Sequence, residues 1–100
     1  MSNKSTQTKQ NLIIYLPLIR HIARKKKIPF KAIALSDKSD KKYMITLLND
    51  KIVHFGAANM EDYIMHQDEA RRKRFHDRFK NNKGYDNPES GLFYSARLLW

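Results

Sequence analysis

Cysteine is absent from this 100-residue chain. Neither a disulfide framework nor a thiolate zinc site can therefore make up for a thin core. Long hydrophobic runs are also missing. The longest, Leu12 to Ile19 (LIIYLPLI), is eight residues including Pro17, far short of the roughly 20 a membrane-crossing helix needs. It fails as a secretory signal too, because the cleavage region is replaced by Arg24-Lys25-Lys26-Lys27. The expectation is a soluble chain of intracellular origin. One hundred residues fit a single domain whose core is modest.

The patterns that mark catalysis are missing as well. His21, His54, His66 and His76 are the only conceivable imidazole ligands. His66-Gln67-Asp68 lacks the His-Glu-x-x-His spacing of zinc proteases, and no dense carboxylate set stands beside it. Ser90 and Ser95 have no Gly-x-Ser-x-Gly context to make either an exposed nucleophile. No enzyme, metal, cofactor or small-molecule substrate is expected.

Acidic residues are scarce in one part of the chain only. Net charge is +10. Residues 1–42 carry 11 Lys/Arg against Asp37 and Asp40, whereas residues 43–100 carry nine against eight. The excess is an N-terminal property, centred on Arg24, Lys25, Lys26 and Lys27 with Lys31. Such a block suits nucleic acid, an anionic membrane or a nuclear-targeting role, or it merely keeps the chain in solution. Pro17 and the lack of Trp in residues 11–27 argue against the membrane.

Residues 1–10 are polar and offer no anchor after Met1, which predicts a mobile tail. Leu12, Tyr15, Leu16, Ile19 and Ile22 then recur at helical spacing, with Asn11 as a cap and an end near Lys27. A short strand fits Phe30 to Leu35, and Ser36 to Asp40 is turn chemistry. Lys42 to Leu48 and Lys51 to Phe55 form a hairpin around Asn49-Asp50, ended by Gly56. Asp68-Glu69 opens a helix to about Lys80, and Ser90 caps a last one from Gly91 to Trp100.

The helix of residues 68–80 concentrates the second group of cations. Arg71, Phe75 and Phe79 form one stripe, with Arg78 beside it. Burying both phenylalanines would stabilise the fold by about 3–6 kcal/mol, which predicts a helix oriented by packing. Arg72, Lys73 and Arg74 then face a phosphate-bearing or acidic partner, or form a solvated face partly neutralised by Asp68 and Asp77. Asn and Gln are missing from base-contacting positions, so any nucleic-acid contact goes to the backbone. At the end of the chain, Phe93, Tyr94 and Trp100 fit either core packing or an aromatic anchor on a partner protein.

Lys41-Lys42-Tyr43, Val53-His54-Phe55-Gly56-Ala57, Asp62-Tyr63, His66-x-Asp68, Arg71-Arg72-x-x-Phe75-x-x-Arg78 and Gly91 to Trp100 occur in that order. In these motifs the chain resembles a group of small, basic, uncharacterised proteins of the nucleocytoplasmic large DNA viruses. It departs from their pattern at Phe79 and at Ser95-Ala96-Arg97. The resemblance covers residues 41–100 and names no enzymatic activity. It implies a virion-associated structural protein, a minor capsid or core component that docks on capsid or other virion proteins and contacts acidic protein surfaces or packaged DNA through its Lys and Arg. The location implied is the virion, and the host cytoplasm or nucleus during assembly. The alternative is a sequence-nonspecific nucleic-acid-binding protein. The expected architecture is α+β. Residues 1–31 supply a tail, an amphipathic helix and a basic arm, and residues 32–100 a small domain in which a hairpin, with room for a third strand, is packed by two C-terminal helices.

Overall fold

The computed structural model describes residues 11–100, so the mobile tail expected over residues 1–10 lies outside it. The fold is α+β. A 3-10 turn at Ile13–Tyr15 leads into α1 (Leu16–Lys25), followed by β1 (Ala32–Leu35), β2 (Lys41–Thr46) and β3 (Ile52–Ala57). Then come α2 (Tyr63–His66), α3 (Glu69–Phe79), a 3-10 turn at Lys83–Asp86, and α4 (Gly91–Tyr94), which continues as a π-helical turn over Ser95–Leu99.

The three strands form an antiparallel sheet in the order β1-β2-β3. Alternation sets its register, with Ile33 opposite Ile45 and Leu35 opposite Tyr43. Across the other seam, Tyr43 faces Phe55 and Ile45 faces Val53. These residues form one buried face onto which α1 and the C-terminal helix pack. Both sheet edges are occupied: Arg20 Nη2 donates to Ile33 O at 2.8 Å, and Gly56 N donates to Ser95 Oγ at 3.0 Å. Blunted edges of this kind resist pairing with another chain.

α1 is amphipathic in the sense its spacing predicts. Leu16, Ile19 and Ala23 are buried, as is Leu12 just before the 3-10 turn that leads into it. Pro17 sits in the first turn, where no intrahelical donor is lost. No side chain caps the start, so the expected role of Asn11 is not seen. The helix ends where Lys27 turns left-handed (φ 58°) and Ile28 N bonds back to Ala23 O at 2.9 Å. Tyr43 ties this segment down by donating its hydroxyl to Leu12 O at 3.0 Å. Burial pushes the Tyr43 phenol pKa well above its ordinary value. The division expected at residue 31 is therefore corrected. α1 shares one core with the sheet, because its apolar stripe has nowhere else to hide.

Two further expectations change. Gly56 does not end the hairpin; β3 runs on to Ala57 with Gly56 inside it at φ +83°. A Cβ there would lie 2.8 Å from Leu99 Cδ1, so the glycine lets the C-terminal helix approach the strand. The helix α3 contains no buried residue. Phe75 and Phe79 are only half-buried, so the expected orientation by burial of both rings is corrected as well.

Candidate anion-binding groove

The element α3 is held beside the core by a few specific contacts. Asp68 caps it, accepting from Ala70 N at 3.0 Å and Arg71 N at 3.2 Å. Phe75 stacks on Trp100 with centroids 4.5 Å apart and planes within 3°, and Phe79 follows at 4.8 Å from Phe75. His76 Nδ1 and the Tyr85 hydroxyl share a hydrogen bond of 2.7 Å. Arg72 Nε donates to Trp100 O at 2.7 Å.

Between α3, the end of β3 and the C-terminal helix lies an open groove of about 1030 Å³. Arg71, Arg74, Phe75 and Arg78 stand at i, i+3, i+4 and i+7, which puts all four on one helix face, and all four line it. Phe79 and Trp100 complete an aromatic wall. Its other cations are Lys41 and Lys42, and its carboxylates are Glu61, Asp62 and Asp77.

Those carboxylates already have partners. Asp62 and Lys42 form a buried ion pair at 2.7 Å, with side chains 4% and 2% exposed. Asp62 also caps α2 by accepting from Met65 N at 3.2 Å. Glu61 meets Arg71 at 3.2 Å. Asp77 takes Lys73 at 2.7 Å and Lys80 at 3.7 Å. The Lys73 hydrogen bond and charge hold the Asp77 carboxyl below its ordinary pKa, and the Asp77 hydrogen bond and charge raise that of Lys73. Arg74, Arg78 and Lys41 are left facing the groove with no ion pair among the described residues.

The structure divides the eight cations that the sequence singles out. Lys26 caps α1, and its Nζ donates to Arg97 O at 2.7 Å. Burial, then the charges of Arg72 and Arg97, hold its pKa below the ordinary lysine value. Lys26 and Arg72 thus both serve carbonyls of the last turn, where cations meet the negative end of a helix. Arg72 also pairs with Glu69 at 3.5 Å and lies over the Tyr63 ring at 5.2 Å. Lys31 pairs with Asp50 at 2.5 Å, and Lys73 with Asp77. Of these eight, Arg24, Lys25, Lys26, Lys27 and Arg74 make no ion pair among the described residues, Lys26 being held by a carbonyl instead. Arg24 lies over the Phe30 ring at 5.5 Å. The supposed flexible basic arm is instead the exposed C-terminal end of α1.

The aromatic trio divides too. Tyr94 is a core residue, 2% exposed, with its hydroxyl donating to Pro88 O at 2.7 Å; that corrects its place in a partner interface. Burial raises its pKa. Phe93 is half-buried beneath the Arg97 guanidinium, 3.9 Å from its ring centroid. With Lys26, Lys27, Leu47, Leu48 and Arg97 it lines a second, smaller groove of about 730 Å³. Trp100 lines the larger one.

Sequence reasoning missed Lys41, Lys42, Asp62 and the groove-facing roles of Arg71 and Arg78. A lysine inside an alternating strand was a visible signal for Lys42, since burial of that charge demands an acid. It also missed a polar set: Ser36 Oγ and His54 Nδ1 lie 2.7 Å apart, and His54 Nε2 is 3.9 Å from Asp37. Ser36 Oγ accepts from Lys38 N at 3.0 Å and is 4% exposed. His54 lines the larger groove, whereas Ser36 and Asp37 line neither groove described here. The set fixes the β1–β2 turn. Among the described residues, no cluster of three or more His, Asp or Glu is placed to hold a metal ion, and no helix is long and apolar enough to cross a membrane.

Residues 32–79 are similar to a family of unknown function, DUF5754. That stretch runs from β1 through α3, so it takes in the sheet and the cationic helix. No curated protein and no solved structure matches the chain.

Proposed function

We propose that the chain is a non-enzymatic structural protein of a large DNA virus particle, docked on capsid or other virion proteins and meeting acidic protein surfaces or packaged DNA through its cations. The observation that carries the binding half is the groove face of α3. Arg74 and Arg78 project there without acid partners, beside half-buried aromatic rings, while Lys26, Arg72, Lys73 and Arg97 are engaged by groups of the chain itself. The viral setting is supported by the sequence resemblance. It gives the virion as location, with passage through the host cytoplasm or nucleus during assembly.

Two measurements test this reading. Mass spectrometry of purified particles should find the chain packaged at a fixed copy number, and its absence would end the virion role. The isolated protein should bind a polyanion with affinity that falls steeply between about 50 and 200 mM salt. No binding at the lower salt would end the cationic role.

The second reading is a sequence-nonspecific nucleic-acid-binding protein acting in infected cells. It is favoured by a lining that has arginines interleaved with aromatic rings and contains neither Asn nor Gln. Those amides are the usual readers of adenine edges. Affinities for duplexes of unrelated sequence should agree within a few-fold; strong preference for one would contradict it.

A further inference from the structure

We infer that the groove beside α3 takes a short stretch of single-stranded nucleic acid, phosphates on Arg74 and Arg78 and bases on the aromatic wall. This inference rests on the cationic role proposed above and names its ligand.

Three features choose a single strand. Arg74 and Arg78, the two unpaired arginines, stand on one face of α3 about 6 Å apart along its axis, from the 1.5 Å rise per residue. They form a ladder of positive charge that tracks one backbone. Next to them, Phe79 is half-buried and continues the ring row of Trp100 and Phe75. Arg78 lies 5.1 Å from the Phe79 centroid. Unstacked bases lie on aromatic and guanidinium planes alike. A duplex keeps its base faces stacked inside and offers them nothing. An acidic peptide would satisfy the arginines, but its carboxylates bring no flat ring face to Phe79. Finally, a groove of about 1030 Å³ has the size of a ligand cleft rather than a flat duplex footprint.

The lining also predicts tolerance of sequence. With no Asn or Gln in the groove, affinity comes from phosphate charge and from π faces that every base possesses. Carboxylates do not spoil the site, because Asp62 is neutralised by Lys42 and Glu61 by Arg71. Asp77 is held between Lys73 and Lys80.

Trp100 is the chain's single tryptophan and lines this groove, so its emission reports occupancy directly. The test is a fluorescence and anisotropy titration of the full chain with three polyanions. They are an oligothymidylate of about ten nucleotides, within the 4–16 typical of such sites, a duplex of equal length, and polyglutamate of equal charge. The oligothymidylate should bind about tenfold tighter than either competitor and change Trp100 emission. Phe79→Ala should weaken it about fivefold or more, the lower end of a base–aromatic stack, while Phe79→Tyr stays near the parent. Arg74→Gln should flatten the salt dependence by about 0.7 in log–log slope, the value of one single-strand phosphate contact. Thermal melting confirms that each variant is folded.

Equal affinity for the duplex, or polyglutamate binding as tightly with the same emission change, overturns the single-strand assignment and leaves the cationic role standing. An unchanged affinity in folded Phe79→Ala overturns it too. Failure of all three polyanions to bind at low salt removes both the inference and the reading beneath it.

Discussion

β2 and α3 are built on opposite terms. In β2, three of six residues are buried, and Tyr43 and Ile45 sit at the centre of a core that α1 closes from one side. In α3, none of eleven is buried, and the helix is carried by a cap, one ring stack and two polar tethers. The strand specifies the fold because its side chains cannot be removed without leaving a void. The helix presents arginines to a groove because so little of it is committed to packing. Low local stability is where binding elements are commonly found.

Single substitutions in the two regions should separate them. Phe55→Ala, in the fully buried position of β3 that pairs with Tyr43 of β2, is expected to cost about 3–5 kcal/mol in urea unfolding. Asp62→Ala should cost a similar amount, about 3–5 kcal/mol, because it strands the Lys42 ammonium inside the fold. Replacing both members, Lys42→Met with Asp62→Leu, should restore most of the loss. A single Asp62→Ala as mild as a surface change would show that the pair is not held dry. Phe79→Ala should cost only about 1 kcal/mol, the scale of an exposed aromatic pair. A loss equal to that of Phe55→Ala would place α3 in the core and dissolve the contrast.

Smaller effects probe α3 alone. Asp68→Ala removes its N-cap and should lower local helicity by about 1 kcal/mol in helix stability, leaving the global unfolding midpoint almost unmoved. A global shift of several degrees would mean that α3 and the core unfold together. The smallest effect is electrostatic. Asp77 has a pKa lowered from 3.8 by Lys73, so its contribution is complete above that ordinary value and is lost as pH falls through the lower folded one. Carboxyl NMR should show a midpoint below 3.8 that rises toward it in Lys73→Ala.

How much of this was legible in the sequence follows the same divide. Alternation of Tyr43, Ile45 and Leu47 and the Asn49-Asp50 turn located the hairpin, and apolar spacing located α1 and the C-terminal helix, because burial leaves a periodic trace. α2 was missed: four residues are too few to show a period, and its cap Asp62 is committed to Lys42 from a distant strand. Phe75 and Phe79 mark an apolar stripe, but a stripe does not say what covers it. Here a third ring, Trp100, covers part of it from the end of the C-terminal helix. Lys26 and Arg72 looked like partner-binding cations since carbonyl partners 71 and 28 positions away leave no local signal.

Backbone amide hydrogen exchange, read with and without oligothymidylate, tests the central claim most directly. In the free protein, α3 should exchange far faster than β2. Added ligand should slow exchange in α3 and leave β2 unchanged. Protection confined to the end of α1, or an α3 already as protected as β2 and indifferent to ligand, would contradict the account.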